Sequence, residues 1–242
     1  YNLFIIYNNY IYIMNKIIHV FFGLSNDSNK INIGIVNNYK KFLTYNNDFL
    51  LMKWDSIRCL EIITTYFPEH LYIYKNTRDY RYKCDLVRLI VLYVYGGIYI
   101  DIDAECLCEV ADMNLNVDTN LSIVFNSDET EIFNSLIYVK EKHNPFIKQC
   151  INEYAHLLNK KNIGACPIMK TIFDKNYKKE SYKNENIVIH HEKNTKKREE
   201  CNSKEEFWNS FYIFNENSKK IVKSRYDSYY TDRRDFQNVD FI

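Results

Sequence analysis

The chain has 242 residues, 46% of them apolar, and a formal net charge of +1 at neutral pH. That length and apolar fraction suffice to bury one sizeable core, while the balanced charge excludes a general electrostatic attraction to nucleic acid or to an anionic membrane. Any recognition of phosphate is therefore local. The seven cysteines are odd in number and scattered, with only Cys106-x-Cys108 closely spaced, which fits reduced thiols in a cytosol-like compartment. Aromatic residues reach 16%, with 22 Tyr and 15 Phe, against 5 Gly and 3 Pro. With Asn, Ile and Lys recurring throughout, this reads as AT-rich coding of the kind found in giant viruses and some parasites and bacteria. Such a bias makes each remaining glycine or proline more informative about backbone geometry.

Residues Tyr1–Ile13 are apolar, but no basic segment precedes them, Asn8-Asn9 interrupts them, and they fall short of the ~20 residues of a membrane span. They read as an upstream extension, with Met14 as the natural start, residues 14–242 as a single domain, and no integral membrane span. Lys16–Phe22 is a β-branched and aromatic run ended by Gly23, hence a first strand. A helix is expected over Ile31–Thr44, a strand over Phe49–Trp54, and a helix capped by Asp55 or Ser56 that runs to Phe67 and is closed by Pro68. Leu86, Leu89, Ile90 and Tyr93 recur at helical spacing, and Gly96-Gly97 supplies the left-handed backbone that ends that helix. Ile98-Tyr99-Ile100 is short, apolar and β-prone. Leu121–Phe125 reads as a strand, Ile132–Val139 as an apolar stretch, and Pro145–Leu158 as a helix with proline in its first turn. Asn186–Ile189 reads as a strand, and Phe211–Phe214 with Lys220–Tyr226 as a terminal hairpin. Lys175–Glu185 and Glu192–Lys204 read as solvated loops. Alternating strands and helices predict an α/β fold with a mostly parallel, helix-covered sheet.

Two pairs of side chains carry chemistry. Asp85 and Arg88, three apart on a helix, share a face, and an acid and a base together can grip the hydroxyls of a sugar. The alternative is an exposed ion pair contributing only about 0.3–0.5 kcal/mol. Asp101 and Asp103, two apart in an extended segment, point the same way from the carboxyl end of a strand, where open α/β sheets bind ligands. Two hard oxygen ligands suit Mg²⁺ or Mn²⁺.

The ordered string Cys84-Asp85-Leu86-x-Arg88, then Leu92-Tyr93-x-Tyr95-Gly96-Gly97-Ile98-Tyr99-x-Asp101-x-Asp103, resembles the DXD sugar-binding region of GT-A glycosyltransferases. It is most similar to family 32, which includes fungal mannosyltransferases and capsular-polysaccharide enzymes and whose core resembles the glucosyltransferase domain of the large clostridial toxins. The resemblance implies a GT-A fold with a Rossmann-like sheet. It implies an enzyme that moves a sugar from a nucleoside diphosphate, UDP or GDP, to a glycan, lipid or protein acceptor, probing no nucleic acid, with retention of anomeric configuration and with Mn²⁺ or Mg²⁺. A cytoplasmic location, the host cytoplasm if the source is viral, goes with the cysteine usage.

By the same resemblance Asp103 would ligate the metal directly, Asp101 would ligate through water and hold the ribose or sugar, and Asp85 and Arg88 would bind donor hydroxyls. Val20, Phe21 and Gly23 would flank the nucleotide, with Phe21-Phe22 standing where Trp-Phe is usual; the other reading is an ordinary core strand. Trp54-Asp55 resembles the Trp-Asp of the family's second strand. Asn134 matches an asparagine that approaches the donor phosphate or acceptor, or is a hydrogen-bonded core residue. Ile163-Gly164-Ala-Cys-Pro167 resembles a segment opening a helix near the acceptor. The usual C-terminal His-x-x-x-Ser-Trp is missing; His191 stands in roughly that region, as a metal ligand or as a surface histidine. Two rivals stand beside the transferase. One is a GT-A fold that binds nucleotide-sugar or a partner without turnover. The other is a haloacid-dehalogenase-type phosphatase, whose downstream acidic pair this chain lacks.

Overall fold

The computed structural model describes residues 5–7, 10–12, 16–21, 30–32, 40, 42–115, 118–158, 163–224 and 236–238. Gly23 lies outside them, as does part of the segment 31–44. The strands, in chain order, are β1 (Ile5–Tyr7), β2 (Tyr10–Tyr12), β3 (Ile17–Phe21), β4 (Lys30–Asn32), β5 (Leu50–Trp54), β6 (Gly97–Ile100) and β7 (Glu105–Cys106). They continue with β8 (Leu121–Phe125), β9 (Ile132–Val139), β10 (Ile187–Asn194), β11 (Phe211–Phe214), β12 (Lys220–Lys223) and β13 (Phe236–Asn238). The helices are α1 (Ser56–Tyr66), α2 (Leu71–Asn76), α3 (Tyr80–Tyr95), α4 (Pro145–Leu158), α5 (Ala165–Asn176) and α6 (Lys204–Trp208).

Nine strands form one sheet in the order β5-β3-β6-β9-β8-β10-β11-β12-β7. β5, β3 and β6 are parallel neighbours, β10 is parallel to β8, and β9 runs antiparallel to both β6 and β8. The central sheet is therefore mostly parallel with one reversed strand, and an antiparallel β11-β12-β7 extension follows β10. Alternation along the strands sorts the core into two layers. Phe21, Trp54, Tyr99, Phe125 and Ile137 face the buried sides of α1, α3, α4 and α5. Ile18, Val20, Ile98, Ile100, Val124 and Leu136 face the other way, onto Val110, Met113, Leu115, Ile213 and Val222. Helices thus cover one face, and irregular chain with the β11–β12 hairpin covers the other.

Two expectations are corrected. Lys30–Asn32 is a strand paired antiparallel with β13, so the helix expected over Ile31–Thr44 is present among the described residues only toward its end, at 40 and 42–45. The β-branched Ile31 between polar residues fits an extended edge as well as a helix turn, and the pairing partner lies some 200 residues downstream, beyond any local signal. Glu192–Asn194 belongs to β10 and α6 begins at Lys204, so Glu192–Lys204 is not one solvated loop; Glu192 is buried opposite Ile213 of β11.

α3 positions the site. Asp79 caps it by accepting the Arg81 N–H at 2.9 Å, and from Leu86 to Leu92 every side chain is buried, as expected of a helix packed on all sides. It stops where the Gly96 N–H donates to the Leu92 carbonyl and the backbone turns to φ 66° at Gly96 and 92° at Gly97. A Cβ at Gly97 would stand 2.5 Å from the Ile17 carbonyl oxygen, so only glycine lets β6 start against β3.

The same turn is pinned by a buried histidine. The Trp54 indole N–H donates to His19 Nδ1 at 3.1 Å, which leaves the proton on Nε2, 2.8 Å from the Gly96 carbonyl oxygen. One neutral ring thereby ties β3, β5 and the end of α3 together. Burial pushes His19 down to about 4 from an ordinary 6.5, and burial does the same to His190 on β10. A histidine whose folded value is depressed contributes stability that is present above its unfolded value and lost as pH falls toward the folded one. Protonating either buried ring on going from neutral to acid pH therefore costs the folded state about 3 kcal/mol. Urea unfolding at a series of pH values should show stability falling from pH 6.5 to 4, with a shallower slope in His19→Gln; an identical slope in that variant contradicts the assignment.

Candidate functional site

The site stands where β6 leaves the sheet. α3 runs back over the sheet, so Asp85 and Arg88 in its middle come to lie above the carboxyl end of β6, where Asp101 emerges. The strand ends at Ile100, and Asp101–Ala104 is a turn closed by the Ala104 N–H donating to the Asp101 carbonyl at 3.1 Å. The expectation of one extended segment through Asp101 and Asp103 is corrected accordingly: it is a turn, not strand alternation, that sets where the two carboxylates go.

Arg88 is the centre of the arrangement, with its side chain only 8% exposed. Its Nη1 donates to the Asn134 carbonyl at 2.6 Å and lies 3.3 Å from Asp101 Oδ1, while Nη2 lies 3.2 Å from Asp85 Oδ1. The guanidinium sits 4.5 Å from the Tyr99 ring centroid, and the Tyr99 hydroxyl donates to the same Asp101 Oδ1 at 2.5 Å. Burial alone would weaken the cation, but the oxygens of Tyr99, Asp101 and Asp85 outweigh it and hold Arg88 well above its ordinary value. Arg88 Nε is buried with no hydrogen-bond partner among the described residues.

Asp85 joins this centre to the next helix. The Asn134 side-chain amide donates to its Oδ1 at 2.9 Å, and the N–H of Ala165, the first residue of α5, donates to its Oδ2 at 3.2 Å. Its carboxylate therefore satisfies one of the orphan N–H groups of a helix whose own cap, Gly164, has no side chain. Burial pushes Asp85 upward, opposed by Arg88, by the Ala165 N–H and by Asn134. The reading of Asp85 and Arg88 as an exposed surface pair is overturned: Arg88 is buried and Asp85 largely covered.

Asn134 reaches this place because β9 bulges. Ser122 of β8 pairs with Tyr138 and Val124 with Phe133, so β9 carries extra residues opposite Ile123. The bulge turns the Asn134 carbonyl and amide toward α3 and sets the Ser135 carbonyl to accept the Asp101 N–H at 2.9 Å. Three contributors were not read from the sequence as site residues. Tyr99 carried a usable signal, since it lies two residues before Asp101. Ser135 and Ala165 act through their backbones and carried none.

The other expected residues sit as follows. Val20 is fully buried in the layer opposite α3, and Phe21 packs on Tyr99 with ring centroids 5.4 Å apart. Trp54 is buried, its indole N–H engaged by His19. His191 is not brought to Asp101. β9 and β8 lie between β10 and β6, about 14 Å at the usual strand spacing, and its Nδ1 lies 3.6 Å from Glu129. Among the described residues no group of three or more His, Cys, Asp or Glu is placed to hold a metal ion. Burial lowers His191 from its ordinary value.

Comparison with known proteins bears on the motif and on the fold. Residues 34–122 match the model of a glycosyltransferase sugar-binding region containing a DXD motif. An inositol phosphoceramide mannosyltransferase 3 of Schizosaccharomyces pombe is 32% identical over 101 residues, 42% of this chain and 27% of that protein. An uncharacterized glycosyltransferase of Acanthamoeba polyphaga mimivirus is 33% identical over 69 residues, 28% of this chain and 26% of that protein. An uncharacterized protein of Arabidopsis thaliana is 29% identical over 93 residues, 36% of this chain and 14% of that protein. The chain spans between 14% and 27% of the length of these curated relatives. A solved structure, the PaToxG glycosyltransferase, superposes with a TM-score of 0.50 at 18% identity, covering 67% of this chain and 69% of that one, which bears on the fold alone. The resemblance read from the motif has independent support: residues 34–122 match a glycosyltransferase DXD region, and the fold is similar to that of a solved glycosyltransferase.

Removing the guanidinium leaves two carboxylates facing each other in a partly buried site. Arg88→Met should therefore lose about 3–5 kcal/mol of stability by urea unfolding, with part recovered when Asp85→Asn is added. A loss below about 1 kcal/mol would contradict the network.

Proposed function

We propose that this chain transfers a sugar from a nucleoside diphosphate to an acceptor, with retention of anomeric configuration and with a divalent cation at the Asp101–Asp103 turn. The observation that carries the proposal is the placement of Asp101: a carboxylate at the carboxyl end of β6, inside the DXD region, oriented by Tyr99 and Arg88. The donor chemistry of the turn fits a hard ion, since Asp101 and Asp103 are oxygen ligands separated by one residue on a backbone closed by Ala104. A divalent ion held there would offset the charge of the departing diphosphate. Asp103 is the direct ligand in this reading, and Mn²⁺ and Mg²⁺ both suit the donor set.

The protein's own part is orientation. Arg88 and Tyr99 fix one oxygen of Asp101, so that no reorganisation is needed when the donor arrives. A carboxylate offers about four lone-pair directions, and Asp85 has three engaged by Arg88, Asn134 and Ala165, which leaves capacity to accept one sugar hydroxyl. Asp85 and Arg88 thus hold the donor floor together as well as touching it, and Asn134 is the clasp between them. Phe21, ring to ring with Tyr99, is the described residue of β3 nearest the donor side of the site. The UDP or GDP identity of the donor and the glycan, lipid or protein nature of the acceptor are set by surrounding loops. The S. pombe relative is named for transfer of mannose to inositol phosphoceramide, which makes a mannosyl donor and a phosphorylated acceptor the first pair to try. The seven free thiols support a reducing compartment, the cytoplasm or that of a host, and among the described residues no helix is long and apolar enough to cross a membrane.

Calorimetry with UDP- and GDP-sugars in the presence of Mn²⁺, beside a donor-hydrolysis assay, tests the proposal. The wild-type chain should bind one class of donor only when the metal is present and should hydrolyse it slowly; Asp103→Ala should bind at least a hundredfold more weakly while keeping the wild-type unfolding curve. Binding unchanged by Asp103→Ala would remove the metal from this turn, and binding without hydrolysis or transfer would favour a nucleotide-sugar-binding module.

A further inference from the structure

A second recess lies beside the site. A cleft of about 390 Å³ opens between the end of α2, the start of α3 and the end of α4, lined by Asn76, Thr77, Arg78, Asp79, Tyr82 and Leu158. That volume is within the range of small-ligand sites. No strand contributes to it, so it lies outside the cradle formed by the carboxyl ends of β3 and β6. It is nevertheless close. Tyr82 and Asp85 are three residues apart on α3, on one face and about 4.5 Å along the helix axis. The Tyr82 carbonyl accepts from the Tyr154 hydroxyl at 3.3 Å, which fixes that face of α3 against α4.

The chemistry of the lining is asymmetric. The Asn76 amide donates to the Tyr72 carbonyl and the Thr77 hydroxyl to the Ile73 carbonyl, so both have donors already engaged. Asp79 is neutralised by Arg81, whose Nη2 lies 2.6 Å from Oδ2 and whose Nε lies 3.1 Å from Oδ1. Arg78, exposed on the short loop between α2 and α3, has no carboxylate partner among the described residues. With Asp79 matched by Arg81, the unbalanced charge of the cleft is the Arg78 guanidinium, a planar fork suited to phosphate or carboxylate oxygens. Tyr82 adds an aromatic surface of the kind on which a sugar ring lies.

We propose that this cleft is an acceptor subsite that takes an anionic sugar, a polyhydroxyl ring bearing a phosphate or a carboxylate, with Arg78 on the anionic group and Tyr82 beneath the ring. The inference rests on the transferase reading, since only then is a ring held one helical turn from Asp85 an acceptor. It deepens that reading by assigning the acceptor's anionic group and ring to a cleft and to named residues. The acceptor would enter along α3 from its amino-terminal end, opposite the side on which the nucleotide meets β3.

The test uses the full chain without donor or metal, so that it does not depend on turnover. Glucose 6-phosphate, glucuronate and glucose are titrated as probes, read by calorimetry and by tyrosine fluorescence, on the wild type, Arg78→Gln and Asp103→Ala. The expected result is saturable binding of at least one anionic probe, at least tenfold weaker binding of glucose, and a tenfold or greater weakening in Arg78→Gln with no change in its thermal unfolding. Asp103→Ala, which should lose donor binding, should keep anion binding. The stronger of the two anionic probes tells a phosphate from a carboxylate as the natural group. Equal binding of glucose and both anions, equal binding by wild type and Arg78→Gln, or loss of the anion in Asp103→Ala would each overturn the subsite, the last by placing the probe at the donor turn.

Discussion

A single guanidinium, Arg88, with carboxylates on two sides and an aromatic ring beneath it, is the constraint on which the arrangement depends. It is buried between a helix and a sheet, where an uncompensated charge costs several kcal/mol. Asp85 and Asp101 compensate it, and in doing so they fix the distance between α3 and the end of β6. Charge satisfaction and site geometry are therefore one requirement. A helix that slid by one residue would leave either the cation or an aspartate unpaired, so the register of α3 over the sheet is set electrostatically as well as by its apolar face.

The contacts around that centre spread its influence through the fold. Asn134 brings in the bulge of β9, Ser135 holds the backbone of Asp101, and Ala165 ties the start of α5 to Asp85. At the far end of α3, His19 locks the Gly96 turn to Trp54. α3 is thus held at its middle by charge and at its end by a neutral ring, and the strand that carries Asp101 is launched between the two. Pre-organisation of this kind suits the proposed task of receiving a charged leaving group without rearranging.

Much of this was legible in the sequence, for identifiable reasons. Long apolar runs bounded by Gly, Pro or Asp matched α1, α4 and β8 within a residue or two and the end of α3, because local spacing and capping decide such features, whereas Ile132–Val139 read only as an apolar stretch and proved to be β9. The DXD region was legible because it is an ordered string, not an isolated pair of aspartates. Features set by distant pairing were not. The Lys30–Asn32 strand depends on a partner near residue 237, and the extension of β10 through Asn194 depends on β11. In the candidate site, motif and residue type brought forward Asp85, Arg88, Asp101 and Asn134, and the structure places these four together; spacing put Asp101 and Asp103 on one extended face, whereas a turn sets them. His191 was suggested as a metal ligand or a surface histidine by its position in the chain, and strand order, which spacing does not encode, sets it three strands from β6 beside Glu129.

The orientation of Asp101 by its neighbours is most directly tested by a double-mutant cycle on donor affinity. Tyr99→Phe, Asp101→Asn and the double variant are compared with wild type for the Mn²⁺-dependent dissociation constant of the preferred nucleoside-diphosphate sugar. If Tyr99 acts by holding Asp101, the double variant binds no more weakly than Asp101→Asn alone, and the coupling is about 1 kcal/mol or more. Fully additive losses would mean that the tyrosine hydroxyl acts independently of the carboxylate, and the account of a pre-set aspartate would be wrong.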